Sequence, residues 1–131
     1  MDKQINDFLD GETFAVVGAS RDRSKYGNKV LRVYVQNGRK VHPVNLHADE
    51  VEGRKSYPDL ASLPEPVHGI SVVTPPNVTE QVVEQAATLG IRHIWMQPGA
   101  ESAAAVESAA GHGMNVIAGG PCILVVQGYH E

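Results

Sequence analysis

The sequence predicts an α/β fold in which helices flank a doubly wound parallel sheet of about five strands. Short apolar runs alternate along the chain with longer segments of helical periodicity, and glycine, proline or asparagine separates them. Short connections of this kind set parallel strands side by side and cover both faces of the sheet with right-handed crossover helices. The 131 residues are the size of one ordinary domain, so we expect a single Rossmann-like domain over residues 1–131.

Five short runs predict the strands, because each is mainly apolar, contains β-branched or aromatic residues and is bounded by turn residues. These runs are Thr13 to Val17, Val41 to Val44, Gly69 to Val73, His93 to Met96 and Asn115 to Ala118. Pro43 weakens the second prediction, since proline cannot donate a hydrogen bond to a sheet ladder.

Helical periodicity and stop signals place the helices between these strands. The predicted helices are a leading one ending at Leu9, Gly27 to Asn37, a short connecting one between Tyr57 and Leu63, Asn77 to Leu89, and Ser102 to Ala110. Glycine follows most of them and supplies a C-terminal stop. We expect Asn77 to cap its helix, with Glu80 three residues later as the capping-box partner. A terminal apolar run covers Ile123 to Val126.

Composition and charge exclude several classes of protein. The formal net charge of −4 disfavours binding to nucleic acid. A single cysteine excludes an internal disulfide and a multi-cysteine metal site, and the six histidines show no metal-ligand spacing. No apolar run reaches the roughly 20 residues that span a bilayer, so no membrane partner is expected. The polar N-terminus does not resemble a signal peptide, and we expect cytoplasmic residence.

In an open doubly wound sheet, ligands bind beyond the carboxyl ends of the strands. The segments that follow the predicted strands are 18–27, 45–47, 74–77, 97–100 and 119–122. Most of them are rich in glycine, proline or small polar residues, which leaves room for a bound molecule. We therefore expect the functional site to be assembled from these segments.

The first of these loops predicts an anion site. Gly18 allows a sharp turn after the strand, and the amides that open the next helix favour a negative charge. The loop is neither a G-x-G-x-x-G fingerprint nor a Walker A loop, because it lacks their glycine and lysine spacings. Five of the eleven basic residues lie in or just after it: Arg21, Arg23, Lys25, Lys29 and Arg32. Of these five, we expect Lys29 and Arg32 to lie on the exposed face of the helix.

The second strand helps to choose the nucleotide. Dinucleotide-binding domains place an acidic residue after this strand to bind the ribose hydroxyls. Here Asn45-Leu46-His47 follows the strand, and Asp49 comes too late to be the obvious equivalent. This disfavours NAD without excluding it.

Six motifs then occur in a fixed order. They are Ala15-Val16-Val17-Gly18-Ala19-Ser20 with Tyr26-Gly27, Val41-His42-Pro43-Val44-Asn45, Gly53-Arg54-Lys55-Ser56-Tyr57-Pro58-Asp59-Leu60, Val72-Val73-Thr74-Pro75-Pro76, Ile94-Trp95-Met96-Gln97-Pro98-Gly99 and Cys122-Ile123-Leu124-Val125. Together they resemble the small stand-alone CoA-binding proteins and the N-terminal CoA-binding domain of the succinyl-CoA synthetase alpha subunit. The resemblance covers nearly the whole chain and implies coenzyme A, or an acyl-CoA, as the ligand.

The resemblance also implies which residues bind each part of this ligand. The phosphate loop would comprise Gly18, Ala19, Ser20, Arg21, Ser24, Lys25, Tyr26 and Gly27. Val44, Asn45 and Leu46 would border the ribose and adenine, with Val73, Thr74, Pro75 and Val78 as the opposite wall. Gln97 and Gly99 would lie near the pantetheine.

Two departures from the resembled family lie near the C-terminus. Gly120-Pro121 stands where the stand-alone family often has an Asp-Arg pair, and Val125-Val126-Gln127 stands where a glutamate is often found. These departures remove a basic contact and leave the segment Gly119-Gly120-Pro121 without an assigned role.

Nothing in the sequence indicates catalysis. There is no G-x-S-x-G motif and no acid/base pair, and His42 and His47, which flank the predicted site, are expected to be ordinary histidines. Cys122 is either a thiol that reacts beside the ligand or, as we expect, a small buried residue. These observations favour a non-catalytic binding module. Two alternatives stay open: an NAD(H)-binding redox protein, and a CoA-binding subunit of a larger NDP-forming acyl-CoA synthetase. A homodimer or a synthetase partner subunit would fit these readings.

Overall fold

The computed structural model describes residues 2–131, and the apolar runs fold into strands as their pattern predicts. In chain order the elements are α1 Asp2–Leu9, β1 Thr13–Val17, α2 Tyr26–Gln36, β2 Lys40–Val44, β3 Glu50–Val51, β4 Arg54–Lys55, β5 Gly69–Val72, α3 Pro76–Thr88, β6 His93–Met96, α4 Ala103–Gly111, β7 Asn115–Ile117 and α5 Ile123–Val126. Each helix within residues 2–131 is too short or too polar to span a lipid bilayer.

Five strands form one parallel sheet in the order β2-β1-β5-β6-β7. The predicted doubly wound parallel sheet is thereby confirmed. The chain moves outward to β2 and then returns past β1 to β5, so the direction of winding reverses between β1 and β5. Connections leave the carboxyl ends of these two strands in opposite directions, and the crevice between them is where such sheets bind ligands.

Two apolar layers cover the faces of the sheet. Alternate residues of β1 point to opposite sides: Phe14 packs with α1, α2 and α5, whereas Ala15 packs with α3 and α4. Both side chains are fully buried. Strand β1 is apolar on both faces because each face lies under a layer of helices.

Two local predictions were wrong. The connecting helix expected between Tyr57 and Leu63 is a single 3-10 turn, Leu60–Ser62, capped by Asp59. Asn77 does not cap α3: the helix begins at Pro76 with Pro75 as N-cap, and no side chain within the described residues caps it. Proline at the first helical position fixes φ at a helical value, so the helix begins before Asn77. The Glu80 carboxylate instead accepts a hydrogen bond from Ser102 Oγ, at 2.8 Å.

The hairpin β3–β4 has no counterpart among the predicted elements. Glu52 and Gly53 form its turn, and both have positive φ, 51° and 74°. A two-residue turn of this kind matches the twist of paired strands. Each strand is only two residues long, too short for the alternating pattern by which strands are recognised in sequence.

Two histidine rings stack at the amino-terminal edge of the sheet. The ring centroid of His68, just before β5, lies 4.1 Å from the ring centroid of His93 in β6. The Asn115 Nδ2 group donates to His93 Nδ1 at 3.1 Å. Burial and the nearby His68 both lower the pKa of His93 from its ordinary value of 6.5.

We expect acidification to destabilise the protein through this pair. An unfolded histidine takes up its proton near pH 6.5 and His93 at a lower pH, so the unfolded chain binds more protons in between. The stability contributed by neutral His93 is therefore complete above about pH 6.5 and declines as the pH falls below it. Thermal unfolding midpoints between about pH 8 and pH 5 test this. His93→Gln, which keeps a neutral acceptor for Asn115, is expected to show a smaller decline; an equal decline would contradict the assignment.

Candidate functional site

A cleft of about 870 Å³ opens at the carboxyl ends of β1, β2 and β5, between the start of α2 and one face of α3. Most of the predicted site residues line it: Gly18, Ala19, Ser20, Lys25, Tyr26, Gly27, Val44, Asn45, Leu46, Val73, Thr74, Pro75 and Val78. The cleft lies at the reversal point of the winding, where the fold class locates its ligands.

Two glycines allow three backbone segments to meet at the base of the cleft. Gly18 has a φ of +95°, and a Cβ atom there would overlap the carbonyl oxygen of Val73. A Cβ atom at Gly27 would overlap the carbonyl oxygen of Gly18. The Gly18 amide donates to the Val44 carbonyl at 3.1 Å. The β1 loop, the start of α2 and the end of β5 are therefore packed backbone against backbone.

The loop between β1 and α2 is held by its own side chains. Ser20 Oγ accepts from the Asp22 amide at 3.1 Å, and Asp22 Oδ1 accepts from the Ser24 amide and hydroxyl at 3.0 and 2.7 Å. The hydrogen bonds from Ser24 hold the pKa of Asp22 below its usual range. The loop thus has a defined shape although Arg21, Asp22, Arg23 and Ser24 are exposed.

The N-terminus of α2 faces the cleft without a side-chain cap. Lys25 is the N-cap residue, and no side chain among residues 2–131 accepts from the first amides of the helix. The Lys25 carbonyl accepts from the Asn28 and Lys29 amides at 3.1 and 3.2 Å, while Tyr26 and Gly27 line the cleft. Helix amides at such an end, with the positive end of the helix dipole, form a site that suits an anion.

Buried polar residues beneath this loop were not predicted as part of the site. Asn28 is fully buried, and its Nδ2 donates to the Ser20 carbonyl at 2.8 Å and to Glu52 Oε2 at 3.0 Å. Arg32 Nε donates to Asn28 Oδ1 at 2.7 Å, and Arg32 Nη2 donates to the Arg23 carbonyl at 2.9 Å. The α2 helix and the β3–β4 hairpin thereby hold the loop from below.

The position of Arg32 corrects one expectation from the sequence. Arg32 is only 9% exposed and is not on the outer face of α2. Its guanidinium lies 3.5 Å from a Glu131 carboxylate oxygen and 5.4 Å from the Tyr129 ring centroid. These contacts join Arg32 to residues about a hundred positions later in the chain, so the sequence around Arg32 does not indicate them. Helical periodicity shows only that the position is polar.

Asn45 determines the shape of the loop after β2. Its Nδ2 donates to the Ala19 carbonyl at 2.7 Å, which ties this loop to the β1 loop. Its Oδ1 accepts from the His47 and Ala48 amides at 2.7 and 3.1 Å, an Asx turn. Leu46 is 70% exposed at the rim of the cleft.

Four predicted site residues do not line the cleft. Arg21 and Ser24 lie on the exposed part of the β1 loop, and Gly99 is exposed after β6. Gln97 is fully buried, and its Oε1 accepts from the Ile123 amide at 3.0 Å and the Tyr26 hydroxyl at 3.3 Å. Gln97 therefore reaches the cleft only through Tyr26.

Other residues line the cleft although they were not among the predicted contacts: Val17, Pro58, Asp59, Leu60, Gln81, Val82 and Gln85, together with His47, which was expected only to flank the site. The α3 members follow from Val78 by helical spacing, since residues three or four apart share a face. Residues 58–60 reach the cleft because a bridge pairs Val44 with Tyr57 beside the sheet. No periodic pattern in the sequence indicates that bridge.

Cys122 lies behind the cleft rather than in it. It is half-buried, and its Sγ lies 2.6 Å from the Tyr26 hydroxyl. Burial, and secondarily the contact with Cys122, raise the pKa of Tyr26, so this residue is a neutral phenol.

Within residues 2–131 no three side chains of the metal-binding types cluster together. The segment from Gly119 to Pro121 also lies outside the cleft, and its Pro121 carbonyl accepts from Trp95 Nε1 at 3.0 Å.

Comparison with known sequences shows which family this chain matches. The profile of the CoA binding domain family matches residues 12–127. An ADP-forming acetate–CoA ligase II of Archaeoglobus fulgidus is 31% identical over 90 residues, which are 67% of this chain and 13% of the relative. The alpha subunit of the Pyrococcus furiosus ligase II is 31% identical over 88 residues, 66% of this chain and 19% of the relative. The chain thus spans less than a fifth of the length of these curated relatives.

Solved structures share the fold. A conserved hypothetical protein from Pyrococcus furiosus superposes with a TM-score of 0.82 at 39% identity, covering 88% of this chain and 98% of its own. A dinucleotide-forming acetyl-coenzyme A synthetase of Ca. Korarchaeum cryptofilum, solved with phosphate and ADP, superposes with a TM-score of 0.73 at 31% identity, covering 82% and 25%. The family match covers most of the chain, including every strand of the parallel sheet and every residue that lines the cleft. This chain therefore belongs to the CoA binding domain family.

Proposed function

We propose that the cleft binds coenzyme A or an acyl-CoA, with the diphosphate at the N-terminus of α2. The observation that carries this proposal is the uncapped start of α2 facing the cleft beside Gly18 and Gly27. Those glycines let the β1 loop, the end of β5 and the start of α2 meet backbone to backbone at the base of the cleft. A phosphate oxygen placed there would accept hydrogen bonds from the first helix amides.

Charge supports the phosphate end of the proposal. Lys25 lines the cleft, and Arg21 and Arg23 lie on the exposed loop that precedes it. The protein as a whole has a formal charge of −4, so this basic loop is a local exception. A small polyanion is attracted to such a patch, whereas an extended nucleic acid is repelled by the rest of the surface.

Apolar walls support the adenine end. Val44 and Leu46 follow β2, Val73 and Pro75 follow β5, and Val78 lies on α3. An adenine ring between these walls would cover the exposed Leu46 side chain, and nucleotide pockets combine such surfaces with a few polar groups. Gln97 and Gly99 lie past the end of β6, and we place the pantetheine over that neighbouring edge.

We further propose that the domain performs no chemistry by itself. The ionisable side chains that line the cleft within the described residues are Lys25, Tyr26, His47 and Asp59. Asp59 Oδ1 is engaged by the Ser62 amide at 2.9 Å and the Ser62 hydroxyl at 2.8 Å, and the Tyr26 hydroxyl contacts Cys122. None of these forms a nucleophile–base pair.

The second candidate function is that of a subunit in an NDP-forming acyl-CoA synthetase, because long curated relatives are ADP-forming acetate–CoA ligases.

Calorimetric titration with CoA, dephospho-CoA and NAD at one ionic strength tests the proposal. We expect CoA to bind, dephospho-CoA to bind more weakly, and NAD to show no binding. Binding of NAD without binding of CoA would overturn the proposal and support the redox alternative. Co-purification with an ATP-grasp protein, together with CoA-ligase activity only in that complex, would identify the subunit role.

Two variants locate the phosphates in the same assay. Lys25→Ala is expected to weaken CoA binding by about 1–3 kcal/mol if the ammonium contacts a phosphate. Arg21→Ala tests whether the exposed arginine folds over the ligand, with a similar loss expected for direct contact. Lys55→Ala, which removes a cation on β4 outside the cleft, is the matched control. Equal small losses of CoA affinity in all three variants would show only a general electrostatic attraction between the protein and CoA. That result would exclude a direct contact of Lys25 or Arg21 with a phosphate.

A further inference from the structure

A second hollow lies on the same rim of the sheet as the cleft, at the carboxyl ends of β6 and β7. Its volume is about 590 Å³, and its apolar lining comes from Ala103 and Val106 of α4 and from Ala118 and Gly119 after β7. Val106 and Ala118 also pack on the buried layer beneath α3 and α4, so the lining is continuous with the core. In the order of the sheet, β7 lies two strands beyond β5, which borders the cleft.

The charges around this second hollow disfavour an anion. Its ionisable lining residues within the described part of the chain are two carboxylates, Glu101 and Glu107. The start of α4 is capped, because Ser102 Oγ accepts from the Ala105 amide at 3.0 Å. The uncapped start of α2, by contrast, leaves its first amides free for a phosphate. The second hollow therefore suits an uncharged aliphatic group.

The position of the second hollow matches the length of the pantetheine arm. The walls assigned to the adenine include the segment after β2, an edge strand, so an arm that leaves the diphosphate runs away from β2. Strands β1, β5, β6 and β7 are consecutive, and three strand spacings, about 14 Å, separate β1 from β7. The arm has about twelve bonds between its phosphate oxygen and its sulfur, as many as about four peptide residues, and extends over about 14 Å.

We propose that the second hollow receives the acyl group of a bound acyl-CoA, and that it accommodates an uncharged aliphatic chain longer than acetyl. This inference rests on the proposed function and adds a class of acyl group to it. Residues 103–107 of the lining extend over about 6 Å along the axis of α4, whereas the single C–C bond of an acetyl group measures about 1.5 Å. An acyl group with a terminal carboxylate would meet Glu101 and Glu107 without a cation to compensate.

Calorimetric titration with CoA, acetyl-CoA, butyryl-CoA and succinyl-CoA at one pH and ionic strength tests this inference. A fully buried methylene group raises affinity about fourfold. Because Ala103 and Gly119 are exposed, we expect about half of that gain for each methylene group. Butyryl-CoA is therefore expected to bind about four times as tightly as acetyl-CoA. Succinyl-CoA has as many acyl carbons as butyryl-CoA but carries a carboxylate, and we expect it to bind no more tightly than CoA.

Two aspartate substitutions in the first turn of α4 locate the acyl group. Ala103→Asp puts a carboxylate into the second hollow and is expected to abolish the preference for butyryl-CoA over acetyl-CoA. Ala104→Asp is the matched control, since Ala104 is also exposed and does not line the hollow. An acidic residue is compatible with the first turn of a helix at both positions. The control is expected to keep the fourfold preference, and circular dichroism verifies that both variants are folded.

The outcomes separate the acyl site from the proposed function. Equal affinities for acetyl-CoA and butyryl-CoA in the wild type, or a preference for butyryl-CoA that survives in Ala103→Asp, would overturn the acyl site while leaving CoA binding intact. Tighter binding of succinyl-CoA than of butyryl-CoA would overturn the uncharged class of acyl group. Absence of binding for all four ligands, CoA included, would overturn the proposed function itself.

Discussion

Replacing Gly18 with alanine is expected to lower the free energy of unfolding by about 3 kcal/mol or more. The new Cβ would overlap the Val73 carbonyl oxygen, which belongs to a neighbouring strand end and cannot move without disturbing the sheet. The φ of +95° adds strain for any residue with a side chain. Urea denaturation measures the change. We also expect CoA binding to weaken more than tenfold, because the base of the cleft must open to accept the methyl group.

Gly38→Ala is the matched control for this substitution. Gly38 also has a positive φ, +69°, but open space surrounds the position of its Cβ. Alanine there is expected to cost only the backbone strain, about 1–2 kcal/mol, with CoA binding unchanged. The difference between the two variants isolates the steric overlap at the site. Equal losses of stability in both would contradict the close approach of Gly18 to Val73.

Truncation of Phe8 to alanine is expected to cost about 3–5 kcal/mol of stability. Phe8 is fully buried, and its ring centroid lies 5.3 Å from that of Phe14 and 5.4 Å from that of Trp95. The family match begins at residue 12, so α1 lies outside it. We propose that α1 is nonetheless part of the same cooperative unit as the sheet, as expected for one domain over residues 1–131.

Urea denaturation followed by Trp95 fluorescence and by circular dichroism tests this unit. Coincident transitions from both probes are expected for the wild type and for Phe8→Ala. Asn6→Ala, an exposed substitution in the same helix, is expected to change stability by less than about 0.5 kcal/mol. A loss below about 1 kcal/mol in Phe8→Ala would mean that α1 packs only loosely on the sheet.

The strands and the cleft followed from the sequence because their signals are local. A buried parallel strand is a short apolar run, and the residues directly after it must lie at the carboxyl edge of the sheet. Gly18 and Gly27 were informative for a similar reason: each meets another backbone where a side chain would not fit. Most of the residues predicted to bind the ligand lie in the loops that directly follow the strands.

The residues that hold the site in place could not be predicted from the sequence, because they contact residues that are distant in the chain. Asn28 contacts Glu52 across 24 residues, and Gln97 contacts Tyr26 across 71. The hairpin that carries Glu52 is too short to produce a pattern. Asn77 illustrates a local error: two adjacent local signals competed, and the proline start prevailed over the capping box.

By itself the sequence determined the order of strands and helices, the parallel sheet and the loops that meet at its carboxyl edge. These follow from periodicity, turn residues and short connections, which act over a few residues and leave few arrangements of the chain. The tertiary structure alone decided that Arg32 turns inward beneath the β1–α2 loop, that Gln97 is buried behind Tyr26, and that residues 58–60 join the lining of the cleft. Each of these positions depends on packing between distant segments, and a side chain's own neighbours in sequence do not encode that packing.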